Sequence, residues 1–169
     1  MAVLEIRKYP DPVLKKKAQP VEEIDGELQR LVDDMVETMY AAPGIGLAAP
    51  QVGVSRRLIV VDVSGREEPA PLIVLINPEV VSEGGSMESE EGCLSLPGFV
   101  ARVNRCEAIT VRGLDRDGKE TAIEASGLLS LALQHEIDHL NGTLILDRTS
   151  LLKREFFKKQ LQKSAAKAG

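Results

Sequence analysis

Gly127-Leu128-Leu129-Ser130-Leu131-Ala132-Leu133-Gln134-His135-Glu136-Ile137-Asp138-His139-Leu140-Asn141 is the stretch from which the rest of the chain is best understood. Leu128, Leu129, Leu131, Ala132, Leu133, Ile137 and Leu140 make a helix here apolar nearly all round, and such a helix is buried. Ser126 stands at its N-cap position and Gly142 just past its end. The only two histidines of the chain, His135 and His139, lie four residues apart within it. Positions i and i+4 share a helix face, so both imidazoles reach one metal ion, and Glu136 reaches a water on that ion. This is the H-E-x-x-H arrangement of metal-dependent hydrolysis. Leu128, Leu131 and Ala132 share the histidines' face, which puts the ion at the mouth of an apolar pocket. Such a pocket suits a substrate with an unbranched hydrophobic side chain beside the scissile bond. Taken alone, the motif also fits histidines that are merely buried and hydrogen-bonded, so the rest of the chain has to decide.

Upstream, Asp11-Pro12-Val13-Leu14 reads as an N-cap followed by proline at the first helical position. Asp25 caps a longer helix running to about Ala42, whose Leu28, Leu31, Val32, Met35, Val36 and Met39 keep the helical period. Pro43-Gly44 ends it, and a compact apolar loop, 44–51, follows. Strand-like runs cover 58–63, 72–76, 80–82, 108–113 and 120–123, the last two flanking a hairpin turn at Asp115-Arg116-Asp117-Gly118. A basic helix over about 150–166 closes the chain. The expected fold class is α+β: mostly antiparallel strands around a buried central helix, with an N-terminal and a C-terminal helix. Its 169 residues suit a single domain, 1–169.

A hydrophobic content of 43% and a charged content of 28% are those of an ordinary globular protein. With aromatics at 3% and no Trp, the core has to be Leu, Ile, Val and Ala. A net charge of −5 and a pI near 5.2 argue against the whole surface being a nucleic-acid footprint, so no specific DNA partner is expected. No apolar run approaches a membrane span, and the segment from Met1 to Lys8 carries no apolar leader region. Two cysteines, Cys93 and Cys106, are too few for a disulfide scaffold and point to a reducing cytoplasm.

A hydrolytic metal site needs a third protein ligand and an open position for water. No third histidine exists. Cys93, Cys106 and a downstream carboxylate remain, of which Asp147 opens a turn and Glu155 sits in the basic helix. Cys93 lies in Glu90-Glu91-Gly92-Cys93-Leu94-Ser95-Leu96-Pro97-Gly98, where small and turn-forming residues suggest a closely packed backbone. A thiolate there favours softer divalent ions.

Three segments in this order, Gly44-Ile45-Gly46-Leu47-Ala48-Ala49-Pro50-Gln51, Glu91-Gly92-Cys93-Leu94-Ser95 and Gln134-His135-Glu136-Ile137-Asp138-His139, resemble the signature segments of the peptide deformylases. The likeness extends over most of the chain. It implies removal of the formyl group from the N-terminal formyl-methionine of new bacterial polypeptides. It also implies one divalent ion, Fe(II) physiologically, held by Cys93, His135 and His139, although this donor set accepts Zn(II), Ni(II) or Co(II) as well. By the same resemblance Glu136 is the acid/base, and the Gln51 amide and the Leu94 backbone N–H stabilise the oxyanion. The backbone of Ile45, Gly46 and Gly92 pairs with the substrate like an added strand. The methionine pocket maps onto Ile45, Glu91, Leu128, Leu131, Ala132 and His135. Two positions depart from some members: Ala132 replaces a Cys, and Val100 replaces an Arg, with Arg102 close by.

Rival readings follow from the same residues. A metalloprotease would use the same H-E-x-x-H but needs a third ligand after the helix, where none is suitable. A catalytically inactive, ribosome-associated binding module would keep the fold and lose the chemistry. Gly44 and Gly46 lack the third glycine and the flanking elements of a phosphate-binding loop. Asp138 is either a support beneath the ligands or a helix-surface group. Cys106 reads as a small buried hydrophobe. The terminal helix, with Lys153, Arg154, Lys158, Lys159, Lys163 and Lys167 against Glu155, is either a solvated face or, by resemblance, a contact to ribosomal RNA.

Overall fold

The computed structural model describes residues 2–64 and 71–168, with side chains through residue 163. Among these, three helices run over Gly26–Ala41 (α1), Gly127–Leu140 (α2) and Leu151–Ala168 (α3). The strands are Gly46–Ala48 (β1), Leu58–Val61 (β2), Ile73–Gly84 (β3), Met87–Cys93 (β4), Leu96–Arg105 (β5), Ala108–Leu114 (β6) and Glu120–Ser126 (β7). Five of them form a sheet in the order β1-β2-β3-β6-β7, and β4 and β5 form a separate ribbon. Every pairing is antiparallel, as the α+β reading requires.

The sheet is sandwiched at β2. Ile59 and Val61 pack with Leu133, Ile137 and Leu140 of α2, while Leu58 and Val60 pack with Leu28, Met35 and Met39 of α1. This explains why β2 is an unbroken apolar run: both of its faces are covered. Full burial of one such side chain stabilises by about 1.5–3 kcal/mol. A third cluster seats the ribbon, through Phe99, Ala101 and Val103, on Leu14, Leu144, Leu146 and Phe157.

The helix termini follow local chemistry. Asp25 Oδ1 accepts from the Leu28 N–H at 3.0 Å and caps α1. Ser126 occupies the N-cap position of α2, but its side chain makes no capping bond. Gly142, just past α2, has φ +74° and lies so close to the Lys15 carbonyl that a Cβ would stand 2.5 Å from it. Only glycine fits there.

Several expectations are corrected. The apolar loop 44–51 contains β1 and a one-turn helix, Ala49–Val52. The runs 72–76 and 80–82 are one strand, β3, with register shifts between Ile76 and Glu79 and between Val80 and Ser82. Pro78 has no N–H to give the ladder. Beside it Asn77 adopts φ +53°, and its side chain bonds both the N–H (2.8 Å) and the carbonyl (3.0 Å) of Val21. The ribbon β4–β5 adds two strands that the sequence pattern does not predict. Its tip, the turn at Leu94-Ser95, carries Cys93 to α2.

Candidate active site

His135 and His139 project from α2, and Cys93 reaches them from the end of β4. One ligand atom from each of the three lies within 4.8 Å of the other two, and Cys93 Sγ is 3.3 Å from His139 Nε2. Zinc-like bond lengths of about 2.3 Å to sulfur and 2.0–2.1 Å to nitrogen put tetrahedral ligand atoms roughly 3.3–3.6 Å apart. The donor set therefore fits a divalent ion. His135 Nδ1 is taken by Glu91 Oε1 at 3.1 Å, which leaves its Nε2 as the ligand nitrogen. The other sequence candidates lie elsewhere. Cys106 pairs its backbone with Gln134 (3.0 and 2.8 Å), Asp147 pairs with Lys15, and Glu155 with Lys158 at 3.8 Å.

Glu136 is buried beside the ligands, and among the described residues neither its Oε1 nor His139 Nδ1 has a hydrogen-bond partner. Burial pushes the Glu136 carboxyl up to about 7, against the pull of His135 and Arg105 and with the push of Glu91 and Asp138. Gly46 makes room for it: a Cβ on Gly46 would stand 2.5 Å from Glu136 Oε2. Burial opposes a cation at His135, yet Cys93, Glu91 and Glu136 hold its pKa well above the ordinary value. His139, enclosed next to His135, is pushed well below it and keeps a free lone pair.

Gln51 is also buried. Its Oε1 accepts from the Ala48 N–H at 3.0 Å, which turns Nε2 toward the ribbon tip. There Nε2 donates to Ser95 Oγ at 3.2 Å and lies 3.7 Å from Cys93 Sγ.

A cleft of about 450 Å³ opens beside these groups. Ile45, Leu128, Leu131 and Ala132 give it an apolar floor, and Gly46, Gln51, Glu91, Gly92, Cys93, Leu94, His135 and Glu136 are among the residues of its walls. Every residue expected at the site therefore borders it except His139, which is buried beneath. Val100 stands over Gly92, its Cγ2 4.0 Å from where a Cβ would be, and is 47% exposed. Arg102 is exposed and pairs with Glu88 at 3.7 Å.

The opposite flank of α2 carries groups that the sequence reading did not connect to the site. Arg105, its side chain only 2% exposed, grips Glu91 with Nε and Nη2 (2.9 and 2.7 Å) and Asp138 with Nη1 (2.6 Å). Arg148 holds Asp138 from the other side, with Nη2 2.7 Å from Oδ1. Asp138 is thus a buried support and not a surface group. Burial alone would raise the Glu91 carboxyl, but Arg105 and His135 outweigh it and hold it at about 2. The signal was present in the sequence: Phe99, Ala101, Val103 and Arg105 alternate inward, and an inward arginine has to be paired. A second recess, about 610 Å³ and polar, borders Arg57, Arg105, Gln134, Asp138 and Arg148 on this flank and holds none of the three ligands.

An antiparallel sheet wrapped on a buried H-E-x-x-H helix, with a thiolate brought in from a hairpin tip, defines a metal-dependent hydrolase. The polypeptide deformylase family model matches residues 3–155, and the chain belongs to that family. Among curated relatives, the peptide deformylase of Thermodesulfovibrio yellowstonii is 64% identical, covering 96% of this chain and 98% of its own. That of Syntrophobacter fumaroxidans is 54% identical over 99% of both. Among solved structures, a peptide deformylase from Legionella pneumophila superposes with a TM-score of 0.91 at 50% identity, covering 98% of this chain and 96% of its own. The Ehrlichia chaffeensis enzyme in complex with actinonin gives 0.91 at 42% identity, covering 97% and 98%. Nothing in the site favours the inactive binding module.

Proposed function

We propose that the chain removes the N-formyl group from the N-terminal formyl-methionine of nascent polypeptides and releases formate. One observation carries this reading: Cys93, His135, His139 and Glu136 meet at the mouth of a cleft floored by Ile45, Leu128, Leu131 and Ala132. The unbranched methionine side chain enters that floor. Ala132, smaller than the Cys of some relatives, leaves it extra room. The strand-like backbone of Ile45, Gly46 and Gly92 pairs with the peptide and presents the formyl group to Glu136.

Cys93, His135 and His139 hold one divalent ion, Fe(II) on the family's pattern, with Zn(II), Ni(II) or Co(II) as substitutes. When bound, it acidifies a water toward a pKa of ~7 and draws charge from the formyl oxygen. Glu136 takes a proton from the attacking water and hands it to the leaving nitrogen as the C–N bond breaks, so formate and a free amine result. Burial works toward a protonated Glu136, which helps it carry the proton between the two halves of that transfer. The Gln51 amide and the Leu94 N–H donate to the carbonyl oxygen as it becomes an anion, without adding a competing charge.

We read residues 1–169 as one catalytic domain. No helix among the described residues is long and apolar enough to cross a membrane, the two cysteines are free, and the substrate is a new chain, so the protein is assigned to the cytoplasm. α3 turns Phe157 into the core and leaves Lys153, Lys158, Lys159 and Lys163 outward for ribosomal RNA. Lys167 lies outside the described side chains. Salt-sensitive co-sedimentation with ribosomes, lost when these lysines become glutamine, tests that contact.

The decisive experiment is primary-amine release from formyl-Met-Ala-Ser under anaerobic conditions with Fe(II)- or Ni(II)-loaded protein. Fast release that disappears in Glu136→Ala supports the reading. No release from folded, metal-loaded protein overturns it.

A further inference from the structure

Gln51 ends in an amide, whose terminal torsion is broad and imposes little orientation of its own. An oxyanion donor has to be aimed before the reaction starts, so something outside the side chain must fix that plane. Two bonds do so at opposite ends: the Ala48 N–H on Oε1 and Ser95 Oγ on Nε2. Ser95 is completely buried and contributes to neither the ligand set nor the cleft wall. One of the two amide hydrogens is thereby committed to Ser95, and the other points to Cys93 Sγ, a longer contact at 3.7 Å.

Gln51 and Ser95 stand on separate elements, the one-turn helix Ala49–Val52 and the ribbon tip. A segment from the start of the chain bridges them. The Arg7 N–H donates to the Gln51 carbonyl at 2.6 Å, and the Tyr9 N–H donates to the Ser95 carbonyl at 2.8 Å. The segment is anchored at both ends. Upstream, the Leu4 N–H bonds Thr38 Oγ1 of α1 at 2.8 Å; downstream, Leu14 is fully buried in the ribbon's cluster. The Arg7 side chain also covers Gly53, at the end of Gln51's turn, where a Cβ would stand 3.0 Å from Arg7 Nε. The two main-chain carbonyls are thus held by one strap while the two side chains hold each other.

We propose that Ser95, braced by the Arg7–Tyr9 strap, is the positioning residue for Gln51 and sets the aim of its amide beside Cys93. The inference rests on the assignment of Gln51 as an oxyanion donor. Ser95 touches no substrate; it acts only through Gln51. Its loss lowers kcat and leaves KM and metal content at their wild-type values, because neither the methionine pocket nor the ligands depend on it.

The test is a double-mutant cycle in the metal-loaded full chain, with kcat and KM measured on formyl-Met-Ala-Ser. Gln51→Ala alone is the control for the underlying reading; if it leaves kcat unchanged, the oxyanion assignment fails, and the positioning inference fails with it. With that loss established, Ser95→Ala is expected to lower kcat by about 10- to 100-fold. The double variant is then expected to be no slower than Gln51→Ala, because a misaimed amide that is absent costs nothing more. Multiplicative losses overturn the inference and give Ser95 a separate role. Arg7→Pro, which deletes the N–H on the Gln51 carbonyl, is compared with Arg7→Ala, which keeps it. A larger fall in kcat for the proline variant, at equal metal content, supports the strap, and equal losses overturn it. A melting curve for each variant separates misaim from unfolding.

Discussion

The two flanks of α2 treat buried polar atoms in opposite ways. On the cleft flank, Glu136 Oε1 is buried with no hydrogen-bond partner among the described residues. On the other flank, Asp138 is held by two guanidiniums, and Gln134 exchanges two hydrogen bonds with the Cys106 backbone. An unmade bond at a buried polar group costs about 1–3 kcal/mol, more for a charged one. On one side of a single helix a buried carboxylate oxygen is left facing the cleft; on the other, two residues along, the polar side chains are paired within the protein. The cleft flank faces the space proposed for the substrate and its water. The satisfied flank fixes α2 against β4 and β5, and so fixes how far the histidines stand from Cys93.

If the flanks divide the work in this way, their variants should separate activity from stability. Glu136→Gln is expected to lower kcat by about 10²–10⁴-fold, the usual worth of a positioned acid/base, while the melting temperature holds or rises. A melting temperature that falls by several degrees would show that Glu136 also carries the fold and would erase the contrast. Arg105→Met should do the reverse. It leaves Glu91 with His135 and Asp138 with Arg148 as their remaining partners, and breaking such a buried network costs about 3–5 kcal/mol. Glu91 orients His135, so metal affinity should also drop, by about 10- to 100-fold. Chemical denaturation and a competitive chelator titration read the two effects separately. An unchanged midpoint would mean that the ion pairs are ornamental.

Gly46→Ala probes the boundary of the cleft flank. The added methyl would meet Glu136 Oε2 at 2.5 Å, so the carboxylate must move. A displacement of that size typically costs about 100-fold in rate. Metal content should hold, because Gly46 supplies none of the three ligands. Loss of metal together with activity would place Gly46 in the scaffold of the ion instead.

What the sequence made legible follows the same division. The cleft flank is local: two histidines and a glutamate within five residues, on a helix whose apolar period announces its burial. The satisfied flank is not. Arg105 reaches Glu91 across 14 residues and Asp138 across 33, and no spacing rule connects them. The ribbon escaped notice for a related reason. Glu88, Glu90 and Glu91 make β4 look like a solvated loop, although Ser89 is buried and Glu91 turns inward to Arg105. β1 is three residues long and lies between glycines and a proline, below the length at which alternation can be seen. The break at Asn77-Pro78 split β3 in two because a proline inside a strand reads as an end, whereas here a bulge and the Asn77 side chain carry the strand past it.

The finest test of the contrast lies within the satisfied flank. Arg105 and Arg148 both hold Asp138, yet Arg105 is 2% exposed and Arg148 42%. If burial gives an ion pair its weight, the two arginines should differ in that order, although Arg148 makes two bonds to Asp138 and Arg105 one. Water and counter-ions already screen Arg148, and its charge needs no protein partner to be solvated. Arg148→Met is therefore expected to cost about 1 kcal/mol or less, against the several expected for Arg105→Met, and the loss should shrink further in high salt. Asp138 would keep Arg105 and gain water from the recess beside it. Equal destabilisation by the two variants would mean that Asp138 needs both guanidiniums at once, so that the network holds as one unit and not as a buried pair with an outer reinforcement.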